Sequence, residues 1–345
     1  MNDIESILFY ITFFFISTFF YKLYNKSNSK IFLVLSFSIP MLIGGLRYKV
    51  GTDYELYLML YNNNSKVDWG FQIINYIAKL FNNPQILFFI YNFLTLFFVF
   101  KGMKNIKQSY RSLAYFCFLF IFYTSSFNIM RQMLAVSIIF YAYKYIDEKN
   151  FKKYCFWVFI ATCFHNTAAL CLLLYFLINT KNKKIVFWYM LILIFIVLNY
   201  ESLIILLGKI PFLSKFVRYQ EYTGKQSFNN YSFYFEFIVT IYMLIFYKRL
   251  INKNQSNQNY IFMAIISLIL MFTGFSNPAV KRIANYFKMS HIILLAQIPY
   301  IPKKNNDKVL NLIVVFTYSV GSFILYTFIL KQADIIPYNF GKFIR

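Results

Sequence analysis

Long apolar stretches, separated by short polar segments rich in lysine, occupy almost the whole chain. A helix needs about 20 apolar residues to cross a bilayer, and such stretches recur from one end of the sequence to the other. The pattern predicts an all-α fold, that of a polytopic integral membrane protein with roughly 10–12 transmembrane helices. The predicted spans are residues 5–24, 31–46, 84–101, 112–127, 129–147, 154–165, 167–179, 185–207, 233–248, 260–276, 280–300 and 308–330.

Two parts of this pattern depart from simple membrane spans. The two short apolar runs that meet at His165 are consistent either with two crossings or with one broken or re-entrant element. Residues 70–82 place apolar side chains on one helical face and predict an amphipathic helix at the membrane interface. We therefore expect one polytopic transmembrane domain, residues 1–345, with outer loops or re-entrant segments at about 47–83 and 208–232.

The composition excludes a soluble globular protein. Hydrophobic residues make up 59% of the chain and charged residues only 14%, whereas soluble domains carry about 25% charged residues. The segment after Met1 opens with acidic residues and lacks a small-residue cleavage site, so we interpret it as the first span. The four cysteines lie inside apolar stretches without ligand spacing, which predicts neither a disulfide framework nor a metal site, and no cofactor is implied.

The net charge of +23 does not indicate a nucleic-acid partner, because the basic residues form short clusters between apolar runs rather than one patch. Such clusters are typical of cytoplasmic loops. With the N-terminus outside, one set of loops holds 20 of the 35 basic residues, and the charge bias indicates the same orientation at every loop. These residues are Lys22, Lys26, Lys30, Lys101, Lys104, Lys107, Arg111, Lys144, Lys149, Lys152, Lys153, Lys181, Lys183, Lys184, Lys248, Arg249, Lys253, Lys303, Lys304 and Lys308.

The opposite, outer set of loops is richer in arginine. Five of the seven arginines fall there, whereas the predicted cytoplasmic clusters are almost wholly lysine. A guanidinium is a planar fork that binds phosphate or carboxylate through two hydrogen bonds, which a lysine cannot match. The five are Arg47, Arg131, Arg218, Arg282 and Arg345.

The first of four polar segments on the outer side is GGLRYKVGTDY, residues 44–54. Gly51 permits a tight turn before Asp53, and Arg47 directly follows the second predicted span. The guanidinium suits an anionic substrate group. An ordinary exit loop, in which Arg47 reaches up to lipid head groups, explains the same residues.

The second segment, NIMRQ at residues 128–132, opens an apolar helix. Asn128 is predicted as the N-cap of that helix, and Arg131 lies one turn further along the same face. The helix dipole opposes a cation at this position, so we expect an anion to compensate Arg131. Lipid phosphate is the alternative to a substrate as that anion.

The third segment surrounds His165, one of only two histidines in the chain. His165 lies with Asn166 and Thr167 at the break between two apolar runs, and polar groups at such a break often line a cavity. The alternative is a histidine that only hydrogen-bonds within the packed protein.

The fourth segment is SNPAVKRIANYFK, residues 276–288, in which Asn277-Pro278 predicts the start of a helix. Cations at the start of a membrane span are costly unless an anion or a cavity receives them, and a diphosphate would fit. Helical spacing places Arg282, Asn285 and Tyr286 on one face. The three cations of the segment are Lys281, Arg282 and Lys288.

Several motifs along the chain together resemble one known family. GLRYKVGTDYELY, NIMRQMLA, ATCFHNTAAL, RIANYF and the late IIPYNF are similar to the EpsG-type branch of the Wzy polysaccharide polymerases. The similarity runs from residue 44 to about residue 340, nearly the whole chain.

The resemblance implies an enzyme of the bacterial plasma (inner) membrane with its active site facing outward. Such polymerases join undecaprenyl-diphosphate-linked oligosaccharide repeat units into a surface polysaccharide. The implied partners are this lipid-linked substrate, the bilayer, and a flippase and chain-length regulator of the same pathway. No Asp-X-Asp pair stands in an outer loop, so a glycosyltransferase of this kind is expected to be metal-independent.

The positions carried over from the resemblance are Arg47, Asp53, Arg131, His165 and Arg282. We expect the arginines, together with Lys281, to bind the diphosphate, and either His165 or Asp53 to act as the general base. A single displacement of this kind inverts the anomeric carbon. Substrate contacts are expected from Tyr48, Tyr54, Asn128, Gln132, Arg218 and Tyr286, of which Arg218 lies in a loop that varies within the family.

Other functions fit the same features. An O-antigen ligase uses the same donor with a different acceptor, and sequence alone separates it poorly from a polymerase. A flippase or transporter of lipid-linked oligosaccharide is also basic and polytopic, although transporters tend to carry internal repeats and charges at mid-membrane. A membrane acyltransferase would account for His165 but lacks its usual partner motifs here.

Overall fold

The computed structural model describes residues 1–63, 67–179, 231–273, 278–331 and 334–340, with the isolated residues 188, 191, 195, 199 and 202. In these residues the regular secondary structure is helical, apart from one antiparallel bridge between Arg47 and Phe340. The predicted all-α class is confirmed. The predicted span 185–207 and loop 208–232 fall almost entirely outside the described residues.

The α-helices, in chain order, are α1 (Asp3–Ser27), α2 (Lys30–Leu46), α3 (Tyr54–Asn62), α4 (Trp69–Leu80), α5 (Gln85–Met103), α6 (Gln108–Ile121), α7 (Met130–Asp147), α8 (Phe151–Phe164), α9 (Cys171–Asn179), α10 (Tyr231–Ile245), α11 (Tyr247–Lys253), α12 (Asn257–Thr273), α13 (Pro278–Ile283), α14 (Asn285–Lys288), α15 (Ser290–Gln297) and α16 (Asn305–Ile324). Short 3₁₀ segments follow α6, α8 and α15, and a π-helical turn follows α16.

The long apolar helices are those that the sequence predicts as spans. Helices α1, α5 and α16 with its π turn are long and apolar enough to cross a bilayer, and α2, α10 and α12 are shorter helices of the same character. Helices α6 and α7 are buried on nearly every side. A helix that is apolar all round belongs in the interior of a bundle, so α6 and α7 form its centre.

Helices α8 and α9 form an antiparallel hairpin whose tip is His165. The start of α8 contacts α9, because the Tyr154 hydroxyl donates to the Cys171 carbonyl at 2.8 Å and the rings of Phe151 and Phe176 lie 5.2 Å apart. His165 itself has extended backbone angles, φ −155° and ψ 117°. The two apolar runs are therefore separate helices joined by a sharp turn.

The predicted span over residues 280–300 is helical but interrupted. The chain there forms three short helices, α13, α14 and α15, although Ala284 and Met289 between them keep helical backbone angles. Arg282 is exposed, whereas Lys288 turns inward to Glu236 of α10, with Nζ and Oε2 2.8 Å apart. The two cations of this segment therefore lie in different environments.

Residues 47–83, predicted as a loop with an amphipathic part, contain helices α3 and α4. Helix α4 has 12 residues, about 18 Å and too short to cross a bilayer. One face of α4 is apolar and strongly exposed, with Trp69 79%, Tyr76 67% and Leu80 63% exposed. The opposite face packs on the bundle through Phe71 and Ala78, both fully buried. This arrangement agrees with the predicted interfacial helix.

The lysine-rich loops meet at one end of the bundle. Gln108 donates from Nε2 to the carbonyl of Asn25 at 2.7 Å, which joins the α1–α2 and α5–α6 turns. The ammonium of Lys253 donates to the carbonyl of Tyr300 at 2.8 Å, and Asp147 accepts from Asn259 at 2.8 Å. The described loops of the predicted cytoplasmic set thus lie on the same side of the molecule.

At the other end, residues 334–340 pair with the loop that follows α2. The Tyr48 amide donates to the Asn339 carbonyl at 2.9 Å, and the Gly51 amide donates to the Asp334 carbonyl at 2.8 Å. The Tyr338 hydroxyl donates to the Ile43 carbonyl at 2.7 Å. The IIPYNF motif therefore fixes the backbone that leads into Asp53.

Gly51 makes the turn that the sequence predicts before Asp53. Its φ is +100°, a conformation that side chains disfavour, and a Cβ added there would lie 2.6 Å from Asn128 Oδ1 and 2.9 Å from the Phe127 carbonyl oxygen.

We expect Gly51→Ala to lower the free energy of unfolding by about 1–3 kcal/mol, because the loop must both strain and move. Thermal unfolding of the detergent-solubilised protein measures the loss. Gly321→Ala is the matched control, since its added Cβ would meet only the Phe235 ring, at 3.2 Å, and should change stability little. Equal stability of the two variants would contradict a required turn at Gly51.

Candidate functional site

Arg131, in the first turn of α7, forms an ion pair with Asp68. Its Nη1 lies 2.5 Å from Asp68 Oδ2, and the side chains are 17% and 8% exposed. The Arg131 guanidinium also lies 6.0 Å from the centre of the Phe71 ring. The anion that the helix dipole was predicted to require near Arg131 is therefore supplied, in this structure, by the protein itself.

Asp53, Arg131, His165 and Arg282 come together at the end of the bundle opposite the lysine-rich loops. The positive charges of Arg282 and Arg131 act on the carboxylate of Asp53 and on the imidazole of His165. These four residues come from four separate segments of the sequence. Residues 53, 131, 165 and 282, which the sequence predicts on one side of the membrane, thus lie in one region of the structure.

Asp53 lies at the N-terminal end of α3, partly exposed. Burial raises the pKa of its carboxyl group above the ordinary value, and the charges of Arg282 and Arg131 oppose that rise. Thr52 donates its hydroxyl to Oδ1 at 3.3 Å. The raised pKa makes this carboxylate a better proton acceptor than that of an exposed aspartate.

His165, at the tip of the α8–α9 hairpin, is held neutral. Burial lowers its pKa to about 3, and the charges of Arg131 and Arg282 add to that effect. The neighbouring Phe164 ring packs against Gly70, where an added Cβ would lie 2.4 Å from it. The hairpin tip therefore sits close to the start of α4 and to Asp68.

Arg282 is the exposed arginine of the group. Its backbone carbonyl accepts a hydrogen bond of 2.8 Å from Nε2 of Gln132, which ties α13 to α7. Gln132 is 2% exposed, so this residue links the two arginine-bearing helices from inside. This hydrogen bond fixes the end of α13 that carries Arg282 beside Arg131.

Arg47 is enclosed beneath this region and only 1% exposed. Its guanidinium donates to the carbonyls of Gly44 at 2.9 Å and Phe127 at 3.0 Å, and to Met130 Sδ at 3.0 Å. The rings of Phe88 and Phe127 cover it at 4.7 and 4.6 Å. Burial lowers its pKa to about 10, so it stays protonated at neutral pH. Its surroundings favour a structural role over contact with a diphosphate.

The remaining predicted contacts are divided between surface and interior. Tyr48 is 44% exposed, whereas Tyr54 is buried and stacked on Phe88 with ring centres 4.7 Å apart. Lys281 Nζ donates to the hydroxyl of Ser232 at 2.6 Å. Tyr286 is fully buried, with its hydroxyl 3.1 Å from that of Thr167. Arg218 lies outside the described residues.

One local prediction is wrong. Asn128 is not the N-cap of α7, because a 3₁₀ segment from Tyr123 to Phe127 carries the chain onward and the helix begins at Met130 with Ile129 as its cap. Arg282 and Tyr286, predicted to share a face, differ in burial: Arg282 is exposed and Tyr286 is buried.

Sequence reasoning overlooked Asp68, the residue that forms an ion pair with Arg131. Asp68 was one of several scattered acidic residues in the outer segments. Its signal was its place just before the amphipathic stretch, since an aspartate at a helix N-terminus is well positioned and partly desolvated. Its partnership with Arg131, 63 positions away, required the fold.

The fold and this charged end define an all-α integral membrane protein in which Arg47, Arg131 and Arg282 lie at one end of a helical bundle. The chain belongs to the EpsG family, whose sequence model matches residues 30–340. This is a family of Wzy-type polysaccharide polymerases, so membership implies a glycosyltransferase-like polymerase in a membrane. The chain matches no curated protein and no solved structure.

Proposed function

We propose that this protein joins undecaprenyl-diphosphate-linked oligosaccharide repeat units into a surface polysaccharide, by inverting glycosyl transfer at the outer face of the bacterial plasma membrane. The observation that carries the proposal is the meeting of Arg131, Arg282, Asp53 and His165 at one end of the bundle. Two guanidinium groups suit a diphosphate. The adjacent carboxylate and imidazole offer a proton acceptor.

In the proposed reaction the growing chain, attached to its lipid diphosphate, is the donor. A hydroxyl oxygen of the incoming repeat unit forms a bond to the anomeric carbon, while the bond from that carbon to the phosphate oxygen breaks. The diphosphate leaves with the bonding electron pair, and the hydroxyl proton passes to a protein base. Attack from the face opposite the leaving group inverts the anomeric configuration.

The arginines would stabilise the charge that grows on the leaving diphosphate. Arg282 is exposed and ready to meet the substrate, whereas Arg131 is partly buried and already paired with Asp68. Lys281, held by Ser232, lies next to Arg282 in sequence and adds positive charge. In this proposal Arg47 supports the site from below and does not touch the substrate.

Asp53 is the better candidate for the base. A pKa of about 3 makes His165 neutral but weakly basic, whereas burial makes Asp53 more basic than an exposed aspartate. A bound diphosphate would raise both pKa values by its negative charge. His165 would then hydrogen-bond the substrate or position it beside Asp53.

The direct test uses purified protein in lipid nanodiscs with a synthetic undecaprenyl-diphosphate-linked repeat unit. We expect a ladder of joined repeats on a gel, and Arg282→Lys should slow its formation by about 10²–10³-fold through loss of the planar fork. Arg249→Lys, the same change in the lysine-rich end, is the control and should leave the rate unchanged.

The outcomes separate this proposal from its rivals. Transfer of the glycan only to a different acceptor would indicate a ligase. Movement of the lipid-linked unit across the bilayer without joined sugars would indicate a flippase. A full-length ladder from Arg282→Lys at equal protein level would remove Arg282 from the mechanism.

A further inference from the structure

Asp68 forms an ion pair with Arg131, the arginine that the proposed reaction needs to bind the diphosphate. Its carboxylate meets Nη1 of Arg131 at 2.5 Å in a setting that is largely closed to water. A carboxylate and a phosphate oxygen both accept hydrogen bonds from the N–H groups at the edges of a guanidinium. A diphosphate that binds Arg131 through two hydrogen bonds must therefore displace Asp68 or share the guanidinium with it.

The N-terminus of α4 offers the displaced Asp68 carboxylate a second set of hydrogen-bond donors. Asp68 is the residue just before α4, the N-cap position, yet its side chain makes no capping hydrogen bond to that helix. Aspartate is among the preferred N-cap residues because its oxygen accepts from the free amides of the first turn. When Arg131 turns to another anion, a small rotation gives Asp68 these amides, and the helix dipole favours its charge there.

We propose that Asp68 is a built-in competitor of the substrate diphosphate for Arg131, which holds the guanidinium in the free enzyme and speeds release of the polyprenyl diphosphate left after glycosyl transfer. This inference rests on the proposed function. A retained diphosphate product would block the next cycle, and a neighbouring carboxylate that takes back the arginine lowers the affinity of product and donor alike.

If Asp68 competes with the ligand, its replacement should tighten ligand binding, whereas replacement of an ordinary binding residue weakens it. Asp68→Asn removes the charge but keeps an N-cap side chain, so α4 should still form. Binding of undecaprenyl diphosphate to the variant in nanodiscs should be about tenfold tighter than to the wild type, the factor of one charge-assisted hydrogen bond. In turnover, KM for the lipid-linked donor and kcat should both fall.

Two comparisons show whether the effect passes through Arg131. Glu55→Gln removes an equal charge from an exposed position of α3 and should leave affinity unchanged. In an Arg131→Ala background, Asp68→Asn should have no effect on affinity, since the competed group is absent.

Each result decides one question. Unchanged or weaker binding by Asp68→Asn, or the same tightening with Arg131→Ala present, would overturn the competition. The proposed function fails in a different way: the wild type would form no ladder of joined repeats from the lipid-linked unit, whatever the affinity of Asp68→Asn for undecaprenyl diphosphate.

Discussion

Asp53→Asn is expected to reduce the rate of repeat-unit joining by about 10²–10⁴-fold, the contribution of a positioned general base. Asparagine has the shape of aspartate but cannot take the acceptor proton, so substrate binding should survive while turnover is lost. In cells we expect single repeat units on the surface in place of long polymer. The nanodisc ladder assay and a blot for protein level measure the two effects.

The pH dependence of the wild type provides a second readout. The base acts when deprotonated, and burial raises the pKa of Asp53. The rate should therefore fall as the pH is lowered through that raised pKa, at a higher pH than for an exposed aspartate. The Asp53→Asn variant should lose this decrease in rate at low pH, together with most of its activity.

His165→Gln is the comparison that keeps the assignment open to refutation. Since His165 is neutral and weakly basic in the free protein, its replacement should cost less than that of Asp53. Near-normal polymer from Asp53→Asn, with a large loss from His165→Gln, would transfer the role of base to the histidine.

Arg47→Ala is expected to have the largest effect on stability, about 3–5 kcal/mol. The change strands the buried carbonyls of Gly44 and Phe127, at about 1–3 kcal/mol for each unsatisfied group. It also removes two cation–π contacts of about 1–2 kcal/mol each when desolvated. Partial collapse of the space returns some of this total. Thermal unfolding in detergent, followed by tryptophan fluorescence, measures the loss.

Arg47→Lys should recover only part of this stability, because a single ammonium cannot reach both carbonyls and lie flat between Phe88 and Phe127. Arg282→Lys, at an exposed position, should unfold at the wild-type temperature. A fully stable Arg47→Lys protein that no longer binds undecaprenyl diphosphate would restore Arg47 to the diphosphate-binding group.

The helices were largely predictable because membrane spans depend on local sequence. About 20 apolar residues bounded by lysines give a helix whatever its neighbours are, as for α1 and α5. What could not be predicted is non-local. Lys288 forms an ion pair with Glu236, which is distant in the sequence, and no pattern around residue 288 contains that partner.

For the candidate site, too, local features were predictable from the sequence and packing was not. Gly51 before Asp53 and Arg131 at the start of α7 are visible in the sequence, because turns and helix ends have local rules. The difference between Arg47, sealed under two rings, and Arg282, open to water, is set by packing alone. The motif similarity identified both Arg47 and Arg282 as site residues. It did not distinguish a buried residue that supports the site from an exposed one that a substrate could reach.

The pairing of residues 334–340 with the segment after α2 has a consequence for biogenesis. The ribosome releases the loop that leads into Asp53 long before it releases residues 334–340. Until those residues have been made, the backbone hydrogen bonds from Tyr48 and Gly51 to Asn339 and Asp334 are missing. The site proposed above would thus be complete only after residues 334–340 have been inserted, so a partly synthesised chain would not act on its substrate.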